Sequence, residues 1–375
     1  MKYVDEFRDP ALARKVLKKL HEVVADIPRA KERPLQIMEV CGGHTHSIFR
    51  YGLEGLLPKG IEMVHGPGCP VCVLPMGRVD DCIAIAEQPD VIFTTFGDAM
   101  RVPGSKKSLQ QASAEGCDVR MVYSPMDALA IARENPHKRV VFFGLGFETT
   151  MPSTALTVMQ AKREGLNNFY LFCNHITIIP TMKAILDEPG MSIDGFLGPG
   201  HVSMVIGKQP YNFIASHYNR PLVVAGFEPL DILQSLLMVV EQLRDGRAEV
   251  ENQYARIVPE QGNLNAMAAV NEVFEVREHF EWRGLGSIAE SGVKIRQAFE
   301  QFDAERAFSV ATLQVEDPKS CQCGEVLKGA LKPWDCTAFG EDCTPETPVG
   351  ALMVSTEGAC SAYYSYGKID VHQAG

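Results

Sequence analysis

Eight short runs of apolar and β-branched residues recur between positions 35 and 226, and a polar or glycine-containing turn follows most of them. Runs of this length are typical of buried parallel strands, and helical apolar spacing fills the stretches between them. The alternation predicts an α/β fold built on parallel sheets. The predicted strands cover residues 35–40, 61–64, 90–96, 119–124, 139–145, 169–173, 193–198 and 221–226.

These runs divide into two sets of four with similar intervals, and the turns that follow them correspond in kind. The turn CGGHTH occupies the place in the first set that GFETT occupies in the second. We therefore expect two related α/β lobes, the first at residues 31–130 and the second at 131–231. Functional groups collect beyond the carboxyl ends of parallel strands, so lobes that face each other would bring the turns to one cleft.

The two ends of the chain are also predicted to be helical. Residues 1–30 place Leu12, Val16 and Leu20 on one helical face, and we expect this helix to pack on the C-terminal domain. From residue 232 to about 312 the chain repeats leucine, valine, methionine and alanine among charged residues, and a Gly/Pro-rich tail follows. Residues 232–375 are therefore expected to form a mainly helical domain together with the N-terminal helix.

Charge and composition exclude several classes of function. The chain has 375 residues with a net charge of −11, so it lacks the basic stripe that nucleic-acid binding requires. No apolar run approaches the length of a membrane span, and the N-terminus lacks the apolar core of a signal peptide. The sequence contains no GxxxxGK[ST] motif, which disfavours an ATP-hydrolysing enzyme. We expect a cytoplasmic protein with no nucleic-acid or membrane partner.

Five of the eleven cysteines lie in the last 55 residues, namely Cys321, Cys323, Cys336, Cys343 and Cys360. This tail has little apolar periodicity, and a metal centre bound by thiolates would hold it together. Irregular spacing beside glycine and proline favours a [4Fe–4S] cluster. A zinc site would usually show two CxxC pairs, which the tail lacks, and disulfides or free thiols are the third possibility. The C-terminal domain is accordingly predicted to be an iron–sulfur domain.

One intervening residue separates Cys321 from Cys323, so both are expected to reach one cluster only with difficulty. Cys323 is the preferred ligand because Gly324 lets the backbone turn beside it. The predicted ligand set is Cys323, Cys336, Cys343 and Cys360, with Cys321 as the alternative to Cys323.

Cys41 opens the motif CGGHTH directly after the first predicted strand. A thiol at a helix N-terminus is expected to have a lowered pKa, which would make it a nucleophile or a ligand for a soft metal. His44 and His46 could add imidazole ligands or move protons. The alternative interpretation is a buried cysteine with two surface histidines.

The chain has one CxxC motif, in which Pro70 and Val71 separate Cys69 from Cys72. Such a pair can cycle between dithiol and disulfide, and His65 just before the motif could tune a thiolate. Half a zinc site or a purely structural pair are the alternatives.

Glu148 and two histidines also follow predicted strands. Glu148 in GFETT could act as an acid, a base or a hydrogen-bond anchor, whereas Thr149 or Thr150 beside it could simply cap the next helix. His175 and His201 are single histidines at strand ends, and structural and functional interpretations of them are equally supported.

The order of these motifs resembles that of the hydrogenase maturation factor HypD family, over nearly the whole chain. The resemblance rests on CGGHTH, GPGCPVC, TFGDAMRVPGS, GFETT, GPGHVS and the tail pattern CxCGxxLxG…C…FGxxCTP…VSxEGAC. It implies a scaffold on which the Fe(CN)₂CO group of [NiFe]-hydrogenases is assembled. It also implies one [4Fe–4S] cluster in the C-terminal region, in surroundings similar to those in ferredoxin–thioredoxin reductase, with electrons flowing from the cluster to the CxxC motif.

The same resemblance implies roles for residues and for partners. Cys41 would bind Fe(II) carrying CN and CO, together with the N-terminal cysteine of a HypC-type chaperone. A HypE-type protein carrying a thiocyanate would donate cyanide, and a hydrogenase large subunit would be served indirectly. Cys69 and Cys72 would be the redox pair or transient iron ligands. His44, His46 and Glu148 would orient or protonate bound groups. The alternative function is an iron–sulfur-dependent thiol–disulfide oxidoreductase.

Overall fold

Nine strands form two separate parallel sheets within residues 5–310 and 315–367, the ranges that this computed structural model describes. In chain order the strands are β1 (Leu35–Glu39), β2 (Ile61–His65), β3 (Val91–Thr95), β4 (Val119–Met121), β5 (Arg139–Gly146), β6 (Phe169–His175), β7 (Gly195–Pro199), β8 (Leu222–Ala225) and β9 (Val250–Asn252). The first sheet, sheet A, has the order β2-β1-β7-β8-β9, and the second, sheet B, has the order β4-β3-β5-β6.

The α/β prediction is confirmed, and each of the eight predicted strands corresponds to one of β1–β8. Buried parallel strands are apolar on both faces, which is why their sequences stand out as continuous runs. Strand β9 was not predicted. It lies at the edge of sheet A and consists of three partly exposed residues with the sequence VEN, so it carries no apolar run.

The composition of the two sheets does not follow the predicted boundaries at 31–130 and 131–231. Sheet A takes β1 and β2 from before residue 66 and its other three strands from after residue 194, whereas all of sheet B lies between them in sequence. The chain therefore leaves sheet A after β2, builds sheet B, and returns to pair β7 with β1 in parallel, so that Ile37 lies opposite Gly195.

Helices cover the sheets and connect their strands. They are α1 (Pro10–Ala25), α2 (Arg29–Glu32), α3 (Gly42–Arg50), α4 (Met76–Ala86), α5 (Leu109–Ala114), α6 (Pro125–Glu134), α7 (Met151–Arg163), α8 (Ile178–Leu186), α9 (Gly200–Ile206), α10 (Asn212–Tyr218), α11 (Pro229–Arg244), α12 (Leu264–Val273), α13 (Ala304–Ala307), α14 (Cys323–Leu327) and α15 (Ala359–Tyr366). In the described ranges none of these helices combines the length and the apolar character that a membrane crossing needs.

The prediction of a mainly helical region at residues 232–375 is wrong. After α12 the chain forms two antiparallel pairs, β10 (Phe274–Val276) with β13 (Val293–Ile295) and β11 (His279–Trp282) with β12 (Gly286–Ala289). Gly284 and Gly286 have positive φ angles that permit the tight turn between β11 and β12. The cysteine tail that follows contains only short helices. Residues 1–4, 311–314 and 368–375 of the predicted terminal regions lie outside the described residues.

Helix α1 packs against α11 on one face of sheet A. It does not pack around the cysteines of the tail. Asp9 caps its N-terminus by accepting from the backbone N–H of Ala11, and Leu20 is fully buried on the opposite side of the helix from solvent. The tail instead sends α15 onto α3, where the Tyr363 ring meets the Phe49 ring edge-on at 4.3 Å.

We predict that Leu20→Ala lowers the free energy of unfolding by about 2–5 kcal/mol, because it leaves a cavity under α1. Leu12→Ala on the same helix is the matched control, since Leu12 is 45% exposed and its loss should change stability by less than about 0.5 kcal/mol. Urea denaturation of both variants measures the difference. Equal stabilities would mean that α1 is not part of the sheet A core.

Candidate functional site

The candidate site lies at the carboxyl ends of three neighbouring strands of sheet A. Cys41 follows β1, His201 follows β7 and Phe227 follows β8. Cys41 has an extended backbone and is the residue just before α3. Its Sγ lies 3.9 Å from Nδ1 of His201, whose ring stacks on Phe227 with 3.8 Å between the ring centroids. The sheet thus brings a thiol and an imidazole from distant parts of the sequence to one edge.

The predicted low pKa of Cys41 is wrong. Burial raises the pKa of this thiol to about 12, and the negative charges of Glu39 and Glu357 act in the same direction. The backbone N–H groups of Gly43 and His201 favour the thiolate, but the loss of hydration outweighs them. The side chain is protonated at neutral pH and has to release its proton to bind a metal.

A buried carboxylate fixes the turn that holds Cys41. Glu39 at the end of β1 is fully buried and accepts hydrogen bonds from the backbone N–H of Cys41 at 2.9 Å and from the hydroxyl of Thr45. Nδ1 of His65 donates to the same carboxylate at 2.8 Å. His65 therefore braces Glu39, and its predicted role in tuning the CxxC thiols finds no support in this contact.

The two histidines of CGGHTH point to different places, as expected for residues two apart on a helix. His44 is buried, its Nε2 donates to the carbonyl of Ala225 at 3.1 Å, and its ring stacks on Phe227. Burial lowers the pKa of His44. His46 lies edge-on to Tyr366 of α15, with 6.3 Å between the ring centroids. His44 therefore packs on Phe227 and helps to hold that ring in the site, whereas His46 faces the C-terminal helix α15.

The CxxC motif packs directly on the backbone of Cys41. Cys69 and Cys72 are disulfide-bonded and almost fully buried. A Cβ atom at Gly68 would overlap the backbone N and Cα of Cys41, and the Gly68 carbonyl accepts from the N–H of Gly42 at 3.1 Å. Only glycine fits at position 68, which explains why the motif begins GPGC.

All five tail cysteines line one pocket. Its lining consists of Cys321, Cys323, Cys336, Cys343 and Cys360 together with Gln322, Val326, Ala338, Phe339, Val349, Gly350 and Met353. The sulfurs of Cys321 and Cys323 are 3.0 Å apart, and a Cβ atom at Gly350 would lie 2.5 Å from each of them. Both members of this pair therefore face the same space.

The five thiols are the kind of ligand that binds an iron–sulfur cluster. As the side chains stand, no group of three or more Cys, His, Asp or Glu within the described ranges is placed so that it could hold a metal ion. A tetrahedral zinc site would need four sulfurs about 2.3 Å from one point. A [4Fe–4S] cluster instead spreads its thiolates over four iron atoms, so its ligands surround a space, as the tail cysteines do around their otherwise mainly apolar pocket.

Three residues of the tail segment 357–360 contact the three parts of the site, which are the Cys41 turn, the disulfide and the cysteine pocket. A Cβ atom at Gly42 would lie 2.6 Å from the side chain of Glu357, and one at Gly358 would lie 3.0 Å from the sulfur of Cys72. Cys360, two residues further on, lines the cysteine pocket. The segment 357–360 therefore joins the start of α3, the disulfide and the pocket by direct contact.

Glu148 is anchored away from Cys41. Its Oε1 accepts from the backbone N–H of Ile178 at the start of α8 at 3.1 Å, and within the described residues its buried Oε2 has no hydrogen-bond partner. Burial raises the pKa of Glu148 to about 7. The hydroxyl of the fully buried Tyr211 accepts a hydrogen bond from Ser203, and a negative charge on Glu148 adds to the effect of burial in raising the pKa of Tyr211. Glu148 is thus held at the start of α8 by its hydrogen bond to Ile178.

Several residues of the site were not predicted. Phe227 and Glu357 lie in GFEPL and EGAC, the first directly after a predicted strand and the second within the cysteine tail. Their positions were visible in the sequence, but an aromatic ring and a carboxylate at such places carry no specific chemical signature. Glu39 lies inside the predicted strand at residues 35–40, and only its burial reveals its part in the site.

Comparison with known proteins identifies the family of this chain. The family model for HypD, described as "Hydrogenase formation hypA family", matches residues 11–367. The chain is 61% identical over 371 residues to hydrogenase maturation factor HypD of Rhodobacter capsulatus, with 98% of each chain covered. It is 58% identical over 366 residues to hydrogenase maturation factor HypD of Escherichia coli (strain K12), again with 98% of each chain covered.

These matches place the chain among enzyme maturation factors. It belongs to the HypD family of hydrogenase maturation factors, and the resemblance seen in its motifs is confirmed.

We predict that alkylation of Cys41 by iodoacetamide accelerates about tenfold per pH unit from pH 7 to pH 10 without levelling off, because its thiol titrates near 12. A free cysteine in a short peptide is the control, and its rate should level off above its pKa of about 8.5. Peptide mass spectrometry measures both rates. A plateau for Cys41 below pH 9 would contradict the raised pKa.

Proposed function

We propose that this chain is an assembly scaffold that holds iron with its cyanide and CO ligands, before their transfer towards the large subunit of a [NiFe]-hydrogenase. The observation that carries the proposal is the direct contact of segment 357–360 with the Cys41 turn, the disulfide and the cysteine pocket. An iron-binding thiol and a redox centre that work on one cargo have to be this close.

Cys41 is the proposed iron ligand. Low-spin Fe(II) carrying cyanide and CO accepts soft thiolate ligands, and the Cys41 sulfur lies at the edge of sheet A beside the accessible ring of His201. One thiolate leaves other coordination positions open. A cysteine of a small HypC-type chaperone would occupy one of them, so that iron is held between the two proteins.

Cys69 and Cys72 are the proposed redox pair. In the dithiol form they can reduce a thiocyanate carried by a HypE-type donor: R–S–CN and two protein thiols give R–SH, the Cys69–Cys72 disulfide, cyanide and one proton. The cyanide passes to the iron, and regeneration of the dithiol takes two electrons and two protons.

The pocket of tail cysteines is the proposed place for a [4Fe–4S] cluster. Cys323, Cys336, Cys343 and Cys360 would hold it, with Cys321 as the alternative to Cys323. Such a cluster supplies single electrons for reduction of the disulfide. The contact of Gly358 with the Cys72 sulfur, two residues from Cys360, supports a short path between the pocket and the disulfide.

His44, His46 and Glu148 have supporting roles in this proposal. His44 holds Phe227, and through it His201, in place. His46 contacts α15 and helps to seat the C-terminal helix on α3. Glu148 has a pKa of about 7, which suits exchange of protons near neutral pH.

A thiol–disulfide oxidoreductase is the second candidate, and the closeness of the disulfide to the cysteine pocket favours it. Infrared spectroscopy of the purified complex with a HypC-type partner separates the two functions. A scaffold shows CN and CO stretching bands, whereas an oxidoreductase reduces disulfides and shows no such bands.

We predict that Cys41→Ala removes the CN and CO bands and abolishes hydrogenase maturation, while the visible absorption of the cluster is unchanged. Cys117→Ala is the matched control, because Cys117 is partly exposed and lies outside the three parts of the site. Bands that persist in Cys41→Ala would refute the assignment of the iron ligand. Loss of the cluster absorption would refute the separation of the two centres.

We also predict that Cys343→Ala and Cys360→Ala lower both the iron content and the melting temperature, the latter by at least about 4 °C, because the tail has little core of its own. Comparison of Cys321→Ala with Cys323→Ala identifies which of the two is a ligand. Unchanged iron content and melting temperature in the Cys343 and Cys360 variants would exclude a cluster in this pocket.

A further inference from the structure

The imidazole of His201 lies beside the thiol of Cys41, and the pairing of β1 with β7 keeps the two close. Helices α3 and α9 begin next to each other because these parallel strands are neighbours, about 4.8 Å apart. Nδ1 of His201 and Sγ of Cys41 are separated by 3.9 Å. Within the described ranges this is the one hydrogen-bond contact of the His201 side chain, so loss of the Cys41 proton frees the Nδ1 lone pair.

This separation suits two ligands of one metal ion. Bonds of about 2.3 Å to a thiolate and about 2.0–2.1 Å to an imidazole place sulfur and nitrogen roughly 3.1 Å apart at a right angle and roughly 3.6 Å apart at a tetrahedral angle. A small rotation of either side chain closes the difference from 3.9 Å. Thiolate and imidazole are both common ligands of iron.

The surroundings orient the imidazole for this purpose. Its ring stacks on Phe227 with an angle of 18° between the ring planes, which restricts rotation. A Cβ atom at Gly43 would lie 2.9 Å from the Phe227 ring and 3.3 Å from Cε1 of His201, so the second glycine of CGGHTH makes room for this stack.

We propose that His201 is a second protein ligand of the iron that Cys41 binds, so that the chain holds its cargo by a thiolate–imidazole pair. This inference rests on the proposed function. Two cyanides, one CO, Cys41 and a partner's cysteine leave one position of an octahedral iron unfilled, and His201 completes it. A bidentate protein site also fixes which side of the iron faces the CxxC motif.

The test uses Co(II) as a probe of metal binding by the full chain. The tail cysteines are loaded with their [4Fe–4S] cluster beforehand. In His201→Ala we expect affinity for Co(II) about tenfold weaker or more, and loss of the imidazole nitrogen coupling in the pulsed EPR spectrum of bound Co(II). His137→Ala is the matched control, because it removes an exposed histidine in the turn before β5, outside the site, and it should retain both signals.

Three results would overturn the proposal. Wild-type Co(II) affinity with retained nitrogen coupling in His201→Ala shows that another group is the ligand. Rescue of affinity by His201→Gln shows that the side chain acts by hydrogen bonding. Unchanged binding in Cys41→Ala shows that the thiol is not the metal site, and in that case the proposed function fails as well. If Cys41→Ala abolishes binding and His201→Ala does not, only the histidine ligand is wrong.

Discussion

The close approach of Gly68 to Cys41 is the contact on which the rest of the site depends. The two backbones lie so near each other that no side chain fits between them. This approach places the disulfide beside the thiol, and the hydrogen bond from Gly42 to the Gly68 carbonyl ties the CxxC loop to the first turn of α3. The Glu39 carboxylate also braces the turn, because it accepts from the backbone N–H of Cys41 and from His65, so that the disulfide and the Cys41 thiol share one rigid support.

Loss of hydration decides the chemical state of Cys41. A helix N-terminus and two backbone N–H groups favour a thiolate, yet burial together with Glu39 and Glu357 favours the thiol more strongly. A protonated sulfur is a poor nucleophile and is slow to oxidise. The arrangement therefore keeps Cys41 unreactive towards the neighbouring Cys69–Cys72 disulfide, with which a thiolate would exchange.

The sequence predicted the strands well because a buried parallel strand is a local pattern of apolar residues, as in β5 and β6. It did not predict which strands pair, since the partnership of β1 with β7 joins segments far apart in sequence and depends on the whole chain. The positions of Cys41, Cys69 and the tail cysteines followed from their motifs. The pKa of Cys41 and the parts played by Phe227 and Glu357 did not, because they arise from burial and from contacts that no short motif encodes.

The packing of α15 on α3 has a consequence for how the protein is made. Helix α3 is synthesised well before α15, yet Glu357 and Gly358 complete the surroundings of Cys41 and Cys72. On the ribosome the CGGHTH turn therefore lacks these contacts until the segment 357–360 has been translated. Until then the Cys41 thiol is hydrated and has no Glu357 beside it, so its pKa is closer to that of a free cysteine than in the folded protein.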